Sequence, residues 1–147
     1  MNPDEYPEIK SWIGSYTGEL DFVDFLNRHC TVGMWLSFAH LMNPEFVEVR
    51  GCVIRRRSYT PENFDDWYAR LDGDVRRIES VLNRFVVGYA VNCGNTAEED
   101  EALWDIARAV AYSWEAALGR EFPLKRFDVS VLDTDDGPVV VFMQAAS

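Results

Sequence analysis

Two histidines, three cysteines and one run of arginines are the side chains in this sequence whose chemistry could go beyond packing. His29 stands beside Cys30, and His40 follows eleven residues later. On one helix the two imidazoles share a face, but at ~1.5 Å rise per residue they lie ~16 Å apart, too far for one metal ion or one proton relay. Cys30, Cys52 and Cys93 are widely spaced with no C-x-x-C arrangement, so neither a disulfide framework nor a cysteine-rich zinc site is expected. No local motif pairs Cys52 or Cys93 with a histidine, and the expected role of these thiols is that of small core residues.

Asp133, Asp135 and Asp136 ahead of Gly137 look like the start of a calcium loop. The glycine comes one position early and no Glu closes the loop, so a hairpin turn is the better reading. The chain contains no P-loop, no G-x-G-x-x-G, no G-x-S-x-G and no H-E-x-x-H. No catalytic residue, metal ligand or cofactor is therefore assigned. Arg55-Arg56-Arg57 could grip a phosphate or carboxylate, since on a strand Arg55 and Arg57 project from one face. Residues 45–84 hold as many acids as bases, however, and ion pairs within the chain are the expectation.

Stronger than any motif is the charge. The chain carries 25 Asp plus Glu against 14 Lys plus Arg, a net charge of −11 on 147 residues. Such a field repels nucleic acid and anionic lipid and draws basic partners. The excess is concentrated in two places. Residues 1–24 hold six acids and one base, and residues 95–121 hold seven acids and two bases. Glu98, Glu99, Asp100 and Glu101 complement the dipole at a helix start, and the N-terminal acids suit a solvated tail. The functional alternative is that both regions meet on one surface, where Trp12, Tyr16 and Trp104 serve as aromatic anchors inside an acidic rim.

The elements that must position these residues follow from periodicity and caps. Residues 1–16 are expected to be a loosely ordered acidic lead. Thr17 can cap a helix carrying Phe22, Leu26, Cys30, Met34 and Leu41 on one stripe, bent or divided at Gly33 and stopped at Asn43-Pro44. Phe46 to Arg57 reads as one strand with Gly51 as a bulge. Thr60-Pro61-Glu62 starts a helix whose stripe runs unbroken from Phe64 to Phe85. Phe85 to Val91 suits a short strand or a buried connection. Thr96 and Glu99 form a capping box opening a helix that Gly119 should stop after Leu118. Two strands, at Phe127–Val131 and Val139–Met143, form a hairpin around Asp136-Gly137.

The sum is a single α+β domain over residues 1–147, with three main helices packed on a small, mostly antiparallel sheet that ends in a C-terminal β-hairpin. Acids and prolines at the start argue against a secretory signal, and the apolar stretch Thr31–Met42 falls short of the ~20 residues that cross a bilayer. A cytoplasmic location is expected, and the preponderance of Arg over Lys fits a GC-rich bacterial genome. The leading functional expectation is a small acidic binding protein, of the kind of an immunity protein or antitoxin, that neutralises a basic toxin or nuclease by protein–protein contact. The alternative is a small-molecule-binding or enzymatic α+β domain with an aromatic-lined pocket, and a homo-oligomeric adaptor stands third.

Overall fold

The computed structural model describes residues 1–147 as a mixed α+β fold built around two small antiparallel sheets. The chain opens with a 3₁₀ turn, Pro3–Glu5, then α1 (Pro7–Gly14), α2 (Phe22–His29) and α3 (Val32–Met42). The hairpin β1 (Phe46–Val49) and β2 (Cys52–Arg55) follows, then α4 (Pro61–Arg70), α5 (Val75–Leu82), β3 (Arg84–Val86), the single turn α6 (Val87–Ala90) and the long α7 (Ala97–Glu121). The hairpin β4 (Phe127–Thr134) and β5 (Gly137–Gln144) closes the chain, and β5 lies between β3 and β4.

The C-terminal hairpin forms where the alternation places it. Val129 stands opposite Phe142 and Val131 opposite Val140, and Phe127, Val129 and Val131 turn a half-buried face inward. Because β5 is the central strand, Val139 to Phe142 are all buried. Val140 and Phe142 join the larger apolar cluster with Leu103, Ala107, Val110 and Trp114 of α7, while α5 packs across β5 and β2. A second cluster gathers Cys52, Ile54, Phe64, Ile78 and Leu82 under α4 and α5.

Several sequence expectations are corrected, each by local backbone chemistry overriding periodicity. The lead at residues 1–16 is ordered, as the 3₁₀ turn capped by Asn2 and as α1. The helix expected from Thr17 is two helices. Asp21 caps the first in a reciprocal capping box with Asp24, and Thr31 caps the second by accepting the Met34 N–H, so the break falls at Cys30-Thr31 and not at Gly33. The strand expected from Phe46 to Arg57 folds back at Arg50-Gly51, where both residues have positive φ, 49° and 83°. That is the two-residue hairpin geometry that matches strand twist, so Gly51 makes a turn and not a bulge.

The stripe from Phe64 to Phe85 is likewise divided. Asp72 and Gly73 take φ of 52° and 69°, and Asp74 recaps the chain by accepting the Arg77 N–H. A Cβ on Gly73 would also stand 3.0 Å from the Tyr68 ring, so a side chain there would have to displace the phenol as well as adopt a positive φ. Helix α7 runs through Gly119 to Glu121 and stops where Pro123 forces Phe122 out of the helical region.

The two sheets are joined by a side chain. Asn83, fully buried, accepts the Arg55 N–H through Oδ1 at 3.0 Å and donates through Nδ2 to the Val53 carbonyl at 2.8 Å. The amide thereby continues the ladder of β2 just before the chain enters β3. Asn83→Ala is expected to cost ~2–4 kcal/mol in urea unfolding, because it strands a buried donor and a buried acceptor together. A loss within ~0.5 kcal/mol, the range of ordinary surface substitutions, would show that water replaces the amide.

Candidate functional site

The two acidic regions meet. The Met1 amino group pairs with Asp105 of α7, whose carboxyl is held below its ordinary value by that hydrogen bond. The Tyr6 phenol is pushed up by burial and by the nearby carboxylates of Glu99, Glu8 and Glu98. The start of the chain therefore lies against the first turns of α7, and Glu8, Glu98, Asp100 and Glu101 are exposed around that junction. Glu99 differs from its neighbours. It accepts the Gly94 N–H and the Thr96 hydroxyl proton while Thr96 caps α7, which lowers its carboxyl's pKa and fixes the loop ahead of the helix.

The aromatic residues expected as anchors also make contacts within the chain. Trp12 is half-buried, its ring 4.9 Å from that of Tyr16 at a tilt of 52° and edge-on to Phe25 and His29. Trp104 is half-buried under the Arg108 guanidinium, and Tyr16 alone of the three is exposed. The histidines lie on separate helices. His29 bonds through Nδ1 to the Phe25 carbonyl at 2.8 Å and stacks on the Phe25 ring. No three His, Cys, Asp or Glu side chains stand together as a metal-binding group. The three cysteines are free, and burial pushes the Cys52 thiol up to about 11, which leaves it a poor nucleophile.

The strongest surface feature is one that the periodicity hid. In α3 every residue from Val32 to His40 is exposed, although the helix carries no charge other than that available to His40. Val32 is 85% exposed, Leu36 59% and Trp35 51%, with Met34 and Phe38 also open. Only its end is anchored, where the Trp114 Nε1–H donates to the Leu41 carbonyl at 2.8 Å and Leu41 and Met42 pack on the larger cluster. The sequence signal was the absence of a polar face: a short helix apolar all round requires cover on every side. Met34, expected on the buried stripe, is instead on the surface.

The arginine run is placed differently from its strand reading. Arg55 ends β2 and is buried, whereas Arg56 and Arg57 enter a 3₁₀ turn, Arg56–Ser58, on the surface. The expected ion pairing extends only to Arg56, which faces Glu45 at 3.7 Å; neither Arg55 nor Arg57 has a carboxylate within bridging distance. No family model, curated protein or solved structure matches this chain.

Proposed function

We propose that this chain is a protein-binding module that captures a basic partner, acting as an immunity protein or antitoxin acts on a nuclease-like toxin in a bacterial cytoplasm. The observation that carries the proposal is α3, an apolar helix left uncovered on a chain of net charge −11. Contiguous exposed apolar surface of this kind marks protein contact, and Trp and Phe are the side chains that supply binding energy at interface centres. The charge selects the partner. Acids gathered from the N-terminal segment and α7 steer a cationic surface inward, while Trp35, Leu36 and Phe38 supply the dry contact. No helix is long and apolar enough to cross a membrane, and three free thiols suit a reducing compartment.

The test is co-purification of the tagged chain from its host at ~50 and ~300 mM salt, followed by kinetics with the captured protein. Joint Trp35→Ala and Phe38→Ala substitution is expected to speed dissociation by about 100-fold or more, since each truncation at a hot spot removes ~2 kcal/mol, with the melting temperature unchanged. Glu98→Lys with Glu101→Lys is expected to slow association by about 10-fold at low salt. Retention of full affinity by both variants would overturn the reading. So would a stable homodimer that the α3 substitutions dissolve, because a second copy would then be what covers the helix. A second reading, a ligand-binding α+β domain, is favoured by one observation, a cleft beside α3 whose wall includes Phe85 and Tyr89.

A further inference from the structure

On a strongly acidic protein, the cleft beside α3 is basic. It has a volume of about 970 Å³ and lies between α3, the turn after β2, and the β3–α6 segment. Its charged lining is Arg55, Arg56, Arg57 and Arg84, with His40 from α3 and a single carboxylate, Glu45. That carboxylate is committed to Arg56. The remaining three guanidiniums have no acidic partner, although the chain has 25 acids to offer.

Arg55 is the informative member. It is only 6% exposed, and its guanidinium lies 4.6 Å from the centre of the Trp114 ring. Its Nη2 donates to the Arg84 carbonyl at 2.7 Å, and its Nε is buried with no partner at all. A buried cation without an anion is costly, and the ring face and one carbonyl offset only part of that. Burial and the neighbouring Arg57 lower its pKa to about 10, which still leaves it charged at neutral pH. Arg57 and Arg84 at the surface add two further cations, so the cleft holds more positive charge than one carboxylate would neutralise.

We propose that this cleft binds a phosphate monoester, with the phosphoryl group held by Arg57 and Arg84 in the field of Arg55, and an aromatic or apolar body against Leu36, Phe85 and Tyr89. Arginine forks match phosphoryl oxygens in pairs, and a dianion suits three unneutralised guanidiniums better than a carboxylate does. The site rests on the cleft of the second reading; its arginines stand apart from Trp35 and Phe38, and Leu36 alone belongs to both the cleft and the proposed protein contact. Its field is local, which is why the net charge of the chain conceals it.

The experiment is titration of the intact protein with phenyl phosphate, inorganic phosphate, benzoate and phenol, followed by calorimetry and by melting temperature. Phenyl phosphate is expected to bind with a sub-millimolar dissociation constant and to raise the melting temperature, with benzoate and phenol at least about 10-fold weaker. Joint Arg57→Ala and Arg84→Ala substitution is expected to abolish that preference without moving the melting temperature of the free protein, since both residues are exposed. Phenol binding as tightly as phenyl phosphate would overturn the anion site while leaving an apolar pocket. Tighter binding of benzoate would overturn the phosphoryl assignment. Unchanged phenyl phosphate affinity in the double variant, or no binding to the native protein, would overturn the site altogether.

Discussion

Trp114→Ala is expected to destabilise the protein by ~3–5 kcal/mol, read as a shift of the urea midpoint at constant slope. Trp114 is the largest fully buried side chain, and its ring is in contact range of Phe85 and Phe142, at 6.3 and 5.9 Å between centroids. Truncation opens a cavity where α7 meets β5, and it also removes two specific partners. The Leu41 carbonyl loses its donor and the Arg55 guanidinium loses the ring beneath it. Trp114→Phe separates these effects in part, because it keeps an aromatic ring in the site while deleting the donor and the smaller part of the buried volume. That variant should cost ~1–3 kcal/mol and selectively raise amide exchange in the last turn of α3. A loss below ~1 kcal/mol for the alanine variant would mean that the larger cluster is not packed around this ring.

This one side chain also accounts for what the sequence could and could not convey. Leu103, Val110 and Trp114 recur at helical spacing and were legible as the buried face of α7, as were the Thr96 cap and the alternation of Phe127, Val129 and Val131. Each of those signals is local. The division of the Phe64–Phe85 stripe was not legible from periodicity, because α4 and α5 happen to keep their apolar residues in phase across the Asp72-Gly73 turn; Gly73 and the Asp74 cap were the overlooked signs. Arg50-Gly51 hid a hairpin in the same way, since a strand that reverses still alternates.

The candidate sites were less legible, because they depend on which segments meet. Met1 and Tyr6 lie against α7 and bring the two acidic regions together, an arrangement that the charge counts alone offered only as the alternative to a solvated tail and a dipole-complementing helix start. Exposure cannot be read from apolarity, so Trp12 and Trp104 were expected outside and Met34 inside. The arginine cleft was masked by averaging. Equal numbers of acids and bases over residues 45–84 say nothing of where they stand, and Glu48, Asp65 and Asp74 are not among the residues that line the cleft.

The buried carboxyl of Glu79, which no sequence argument singled out, should make the protein lose stability as pH rises from about 4.5 to 7. Glu79 has no exposed surface; its Oε1 accepts from the Gln144 Nε2 at 3.0 Å and its Oε2 has no partner. Desolvation raises its pKa from 4.5 to about 7, against the hydrogen bonds from Gln144 and the charge of Lys125, which pull it down. Below pH ~4.5 both folded and unfolded chains hold the proton, and this group's contribution to stability is complete. Between the two values the unfolded chain releases the proton and the folded chain keeps it, so unfolding gains ground with pH; above ~7 the folded form ionises too and the loss levels off. The full swing is about 3 kcal/mol, since the rise from 4.5 to about 7 is worth 1.36 kcal/mol per pKa unit. Glu79→Gln, uncharged and nearly isosteric, should be the more stable protein at pH 8 and show no such slope. Subtracting its pH–stability curve from that of the native chain cancels the self-repulsion that both share as nearby acids ionise. The difference should be a single step centred between pH 4.5 and 7, and a flat difference would show that the folded protein stabilises the ionised carboxylate after all, through water reaching Oε2.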